Sequence, residues 1–236
     1  MLLKITTIAL IPALFLQGKH VKKKTPKLFE PHGIREGQIG EGKSLSILIV
    51  GDSAAAGVGV ENQNEALSGA ILNELKDEYS INWKLHAKSG HSTPKVIQHI
   101  SYLENKHYDV VVTSVGVNDV VTFMEPQSWI DKQHKLYQFI DDKFSPSLII
   151  AAGVPPMHLF PALPNPLAWL FGLYATSMND KLEKFVENRS NMQWIKYDIE
   201  RYQALNLEMA TDGFHPSKEV YALWGQQVAA KIRDKF

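Results

Sequence analysis

The chain of 236 residues contains no cysteine. That absence excludes a disulfide framework, a thiol nucleophile and a cysteine-ligated zinc site. No internal repeat or low-complexity block is present, which removes collagen-like and disordered classes. Charged residues make up 21% and hydrophobic residues 44%, the balance of a soluble globular chain and not of a polytopic membrane protein. The chain is long enough to bury a core without staples. It also lacks a net charge, but the zero hides an asymmetry. Lys4, Lys19, Lys22, Lys23, Lys24 and Lys27 precede the first acidic residue, so the remainder carries a net of −6. A mildly acidic body excludes nucleic acid as the main partner, because phosphate binding needs a basic face.

The mostly apolar run from Ile5 to Leu16 counts 12 residues and contains Pro12. A bilayer span needs ~20. The run has the length of a signal-peptide core, yet no small-x-small cleavage site follows; Gln17-Gly18-Lys19 leads directly into the lysines. Three readings stay open: an uncleaved anchor contacting a membrane surface with Lys22 to Lys24 near anionic headgroups, a segment packed on the domain, and a cleaved signal.

From Leu45 onward, apolar runs alternate with helical patterns. Strands are expected at 45–50, 81–86, 109–114, 147–152 and 193–197. Between them lie helical stripes: Leu67, Ile71 and Leu75; Val96, Ile97, Ile100 and Leu103 after the Thr93-Pro94 start; Trp129 to Phe144 after Pro126; Leu170 to Phe185; and Val220 to Ile232. This alternation predicts an α/β domain over 45–236, a three-layer α/β/α flavodoxin-like arrangement around a parallel five-stranded sheet. Residues 1–44 form an N-terminal arm and lead-in. In such a sheet the ligand sits beyond the carboxyl ends of the strands, so the residues just after each strand carry the function.

Those positions hold Gly51-Asp52-Ser53, then Ser89-Gly90-His91, then Gly116-Val117-Asn118-Asp119. Asp212-Gly213-Phe214-His215 lies near the C-terminus. With these four blocks in order, the chain resembles the SGNH hydrolases, the GDSL esterases and lipases, from Leu45 to its end. Two departures stand out: Ala54 follows Ser53 where the family name has leucine, and no asparagine precedes Gly90. The resemblance implies a serine esterase or lipase with Ser53 as nucleophile, His215 as base and Asp212 as its orienting acid. It further implies an oxyanion hole from Ser53 N–H, Gly90 N–H and the Asn118 side chain. The substrate would be a small-molecule or lipid-like ester, with no cofactor and no metal. Thioesterase, carbohydrate deacetylase and acyltransferase are the other activities the resemblance allows.

The chemistry needs these residue types. A serine hydroxyl is a weak nucleophile until a base takes its proton, and a histidine can take it near neutral pH and return it to the leaving group. A carboxylate supports the imidazolium. Each block has a plainer reading. Ser53 or Asp52 could cap a helix, Asn118-Asp119 and Asp212-Gly213 are turn chemistry, and His91 is a rival base beside Gly90. No histidine shows metal-ligand spacing. Gly37 to Ser44 fits G-x-x-x-x-G-K-[ST], which would make a nucleotide-binding protein only if the loop followed a strand and opened a helix; here it precedes the first strand.

The stretch from Gly153 to Gly172 crowds five prolines between Pro155 and Pro166 among large apolar residues. Leu159, Phe160, Leu163 and Trp169 are the residues expected to form an acyl-binding wall; packing on the body is the alternative.

Overall fold

A computed structural model describes residues 2–236. Helix α1 (Leu2–Lys24) precedes a short strand β1 (Glu36–Ile39). The body then runs β2 (Lys43–Gly51), α2 (Ser53–Ala56), α3 (Leu67–Leu75), β3 (Tyr79–Ala87), α4 (Thr93–Ser101), β4 (Val110–Ser114) and α5 (Val117–Val121). It closes with α6 (Pro126–Phe144), β5 (Leu148–Ala152), α7 (Leu167–Glu187), β6 (Met192–Ile195), α8 (Ile199–Ala204) and α9 (Lys218–Arg233).

The sheet order is β1-β3-β2-β4-β5-β6. Strands β2 to β6 are parallel, the doubly wound arrangement expected from the alternation. After β3 the chain returns across β2 to lay down β4 on its other side. The order therefore reverses at the carboxyl ends of β2 and β4, where a crevice opens. Strands β4 and β5 are buried along their whole length because helices cover both faces, and their sequences are accordingly apolar, apart from Thr113 and Ser114 at the end of β4. Strand β3 alternates instead: Ile81, Trp83 and Leu85 are buried, while Asn82 faces solvent.

Alternate β2 residues feed two cores. Leu48 and Val50 face α4, α6 and α7, with Trp129, Tyr137 and Phe144 behind them. Ile47 and Ile49 face α3 and α9, with Trp224, Tyr221 and Val228.

The sheet has one strand more than expected. Strand β1, from the lead-in, adds antiparallel to β3, with Glu36 opposite Lys84 and Ile39 opposite Ile81. All four of its residues are exposed, so main-chain pairing, the Lys84–Glu36 ion pair and the hydrogen bond from Gln38 Nε2 to Ser80 Oγ hold it without an apolar pattern that sequence reading could detect. The glycine-rich motif runs from β1 through the turn at 40–42 into β2, and it opens a strand, not a helix. Gly40 and Gly42 have positive φ, and a Cβ on either would collide with main-chain oxygens of Lys76, Glu78 or Tyr79. These glycines let the lead-in cross another segment closely, and Lys43 Nζ donates to the Phe236 main-chain oxygen at 2.6 Å.

Helix α1 lies antiparallel along α7. Leu14 is buried in the core, and Leu3, Leu10 and Val21 pack against it. The Thr7 and Tyr174 hydroxyls are 3.1 Å apart. Gln17 accepts from Leu167 N at 3.0 Å and donates to the Asn165 carbonyl. No described helix is long and apolar enough to cross a membrane.

Candidate active site

Strand β2 ends at Gly51, whose φ of +153° and contact with the Ser114 carbonyl admit no side chain. Asp52 N then donates to that carbonyl at 2.9 Å, which fixes the exit of the chain above β4. The Asp52 carboxylate caps α2 by accepting from Ala54 N at 3.0 Å. Capping is thus the work of Asp52, and the Ser53 hydroxyl is left to face the crevice. Burial drives the Asp52 carboxyl up to about 7, against the lowering effect of its hydrogen bond from Ala54 and of nearby His215.

Ser53 Oγ lies 3.0 Å from His215 Nε2, and His215 Nδ1 lies 2.6 Å from Asp212 Oδ2. The loop that carries the last two is built by Asp212 itself. Its Oδ1 accepts from Phe214 N and His215 N, both at 2.9 Å, and Gly213 turns the chain at φ +63°. Ala210 N donates to the His215 carbonyl at 2.8 Å, and Ser217 begins α9 by accepting from Val220 N. Burial pushes the Asp212 carboxyl up, but its hydrogen bonds from the His215 ring, His215 N and Phe214 N together hold it below the usual range. An ionised carboxylate only accepts, so the Nδ1 proton points at Asp212 and Nε2 is free to accept from Ser53.

After β4, Gly116 turns with φ +152° where a Cβ would meet Val154 at 2.6 Å. Asn118 follows in α5 and donates from Nδ2 to the His91 carbonyl at 3.0 Å. Asp119 is fully buried and accepts from Thr93 N at 3.0 Å and Thr93 Oγ1 at 2.8 Å. Gln133 donates to the same hydroxyl at 2.8 Å. Together these bonds tie α4, α5 and α6 and fix the 88–92 loop beside Asn118. Gly90, on that loop, adopts φ +79°; a Cβ there would meet nothing within 4 Å, so backbone conformation and not space calls for glycine.

The structure brings Ser53, His215 and Asp212 into one hydrogen-bonded chain. The ring of His91 points elsewhere, edge-on to His99 at 4.9 Å, and His99 stacks on His86 at 3.9 Å. Burial lowers all three imidazoles, His99 to about 4. Among the described residues, no group of three or more His, Asp or Glu side chains could hold a metal ion.

Ser53, Asp52 and His215 open onto a cavity of about 960 Å³. Gly116 and Val117 are in its lining; Gly90 and Asn118 are not. One wall is the proline-rich segment, through Val154, Leu159, Phe160 and Pro161. Of the four wall residues expected from sequence, Leu159 and Phe160 line the cavity and the other two do not. Leu163 turns into the core, and Trp169, in the first turn of α7, projects to solvent at 47% exposure. The reason is that α7 starts at Leu167, so helical period and not loop geometry decides where Trp169 points. The facing wall went unnoticed in the sequence: Tyr197, Ile199, Tyr202, Leu207 and Met209 come from the stretch around α8, and Trp224 from α9. Its available signal was its place, just beyond the end of β6.

Residues 49–223 match the GDSL-like Lipase/Acylhydrolase family. Among solved structures, the chain is similar to a member of the lipolytic protein G-D-S-L family from Veillonella parvula DSM 2008. The TM-score is 0.64 at 15% identity, over 81% of this chain and 99% of that one. It is similar to the lipase Lip_vut3 from a goat rumen metagenome, with a TM-score of 0.58 at 17% identity over 79% and 96% of the two chains. The psychrotrophic esterase EstA from Pseudoalteromonas sp. gives 0.56 at 16% identity over 80% and 97%. At such identities these likenesses establish the fold. No curated protein matches the sequence.

Proposed function

The chain belongs to the GDSL-like lipase/acylhydrolase family, and from that premise we propose that it hydrolyses carboxylic esters with an apolar acyl group through an acyl-serine intermediate. The observation that supports this most is the hydrogen-bonded chain Asp212–His215–Ser53 opening onto a largely apolar cavity.

Ser53 Oγ attacks the ester carbonyl while His215 Nε2 takes its proton. The carbonyl oxygen becomes an oxyanion. When the bond to the alcohol oxygen breaks, His215 returns the proton to the leaving alcohol, and the acyl group stays on Ser53. A water then attacks the acyl carbon with His215 again as base, releasing the acid and restoring Ser53. Asp212 keeps the ring oriented and stabilises the imidazolium. Ser53 N–H, Gly90 N–H and Asn118 Nδ2 are the donors proposed for the oxyanion, each worth on the order of 3 kcal/mol. The bond from Asn118 to the His91 carbonyl uses one of its two amide protons and leaves the other for that task.

Purified protein should turn over p-nitrophenyl esters, and Ser53→Ala should abolish turnover without lowering Tm. A fluorophosphonate should label the wild type and not the variant. Labelling of another serine, or turnover by Ser53→Ala, would overturn the assignment.

A further inference from the structure

The inner side of α1 is accounted for by α7; the outer side is not. Ile5, Ile8, Ile11, Phe15 and Leu16 each stand more than half exposed, between 54% and 68%. Helical spacing puts them on one side, opposite buried Leu14 and half-buried Leu10. Soluble monomers seldom leave so large an apolar stripe open without a partner.

Two further observations say what kind of partner it is. The stripe runs into cations: Lys19 sits with Nζ 4.3 Å from the Phe15 ring centre, and Lys22, Lys23, Lys24 and Lys27 follow, all exposed. The first acidic residue is Glu30. In addition, α7, the helix on which α1 packs, exposes Trp169 and Leu173 at 47% and 40%. Those two flank Gly172, on which His158 rests, and the next residue is Leu159, half exposed on the cavity wall. An apolar stripe, a tryptophan and a lysine cluster are what an anionic bilayer surface binds: side chains enter the acyl boundary while ammonium groups meet lipid phosphates. The apolar stretch of the helix, Ile5 to Leu16, is too short to span and its end is too polar, so the helix lies in the plane of the surface.

We propose that the outer face of α1, with Trp169 and Leu173, docks the protein on anionic lipid surfaces. Docking does not depend on the proposed chemistry. Its consequence, that acyl esters reach the cavity from the membrane past Leu159, does rest on that reading.

The test is cosedimentation of the full chain with vesicles of phosphatidylcholine, with and without one third phosphatidylglycerol. Wild type should bind the anionic vesicles and be released by salt. Lys22→Gln/Lys23→Gln/Lys24→Gln should weaken that binding about a hundredfold. Ile8→Ser/Phe15→Ser should weaken it more than tenfold at unchanged Tm, since both side chains are exposed in the folded protein. As a second readout, the emission difference between wild type and Trp169→Phe should shift to the blue on anionic vesicles. Ser53→Ala should bind as wild type does, which separates failure of docking from failure of the hydrolase reading. Absence of wild-type binding, or binding that neither set of substitutions changes, overturns the proposal. So does a dimer in solution that Ile8→Ser/Phe15→Ser dissociates while no form of the protein binds vesicles, because the face would then belong to a second copy of the chain.

Discussion

Replacing Asp52 with asparagine should remove a pH dependence of stability that this one carboxyl creates. The residue is 2% exposed, and burial makes it a weaker acid, raising its pKa from 3.8 to about 7. The unfolded chain therefore ionises Asp52 at a pH where the folded chain still holds the proton. Below the unfolded value both states are protonated and the full stability is present; it is lost as pH rises towards 7 and stays lost above. Each pH unit in which only the unfolded chain is ionised costs about 1.4 kcal/mol, so the loss is on the order of 4 kcal/mol across the window. Asparagine is neutral throughout and its Oδ1 can still accept from Ala54 N, preserving the helix cap. Urea unfolding of both proteins at about pH 4, 6 and 8 gives the difference in stability, in which titrating groups that do not interact with Asp52 cancel. The variant should gain on wild type by several kcal/mol between the ends of the range. A difference that stays constant would mean that Asp52 ionises as easily folded as unfolded, and would refute the argument.

Three further outcomes are expected. Asp212→Asn should lower kcat by about 10²–10⁴, because Oδ1 stays with Phe214 N and His215 N, the amide NH2 then donates to Nδ1, and the proton moves to Nε2, which can no longer accept from Ser53; pH profiles of kcat/KM for both proteins check this. Asn118→Ala should lower kcat by about 10²–10³ with a smaller change in KM, and a pure KM effect would make Asn118 a substrate-binding group only. Phe160→Ala should cost octanoyl esters much more kcat/KM than acetyl esters, at about 0.8 kcal/mol for each methylene left uncovered, whereas Trp169→Ala should leave soluble short-chain esters unaffected; a series of acyl lengths measures both.

The parallel sheet was legible because its central strands are buried on both faces and so are written as apolar runs, Ile47 to Val50 and Val110 to Val112 among them. The residues that form the Ser53–His215–Asp212 chain were legible because few residue types suit such a chain, with Ser53 at a strand end and Asp212 and His215 three positions apart on one loop. Strand β1 was not, since none of its residues is buried and its partner supplies main-chain bonds, one ion pair and one side-chain hydrogen bond, from Gln38 to Ser80. The proline-rich wall could be located but not resolved residue by residue. Leu159 and Leu163 are chemically identical, and without a helical or strand period nothing in the sequence says which turns into the cavity and which into the core. The wall around α8 escaped for a related reason: Tyr197, Tyr202 and Met209 are scattered through polar residues, and only the tertiary fold gathers them.

Ser53 and His215 are separated by 162 positions along the chain, and their meeting has a consequence in time. Until the segment that ends in α9 lies against α3, the hydroxyl has no base within reach, although β2 and α2 can already be formed. A partly folded or partly synthesised chain therefore holds an inert serine. On the proposed mechanism, hydrolysis starts only after the last helix settles. The same delay makes the first appearance of ester turnover, in a refolding reaction or on a ribosome, a clock for the docking of α9.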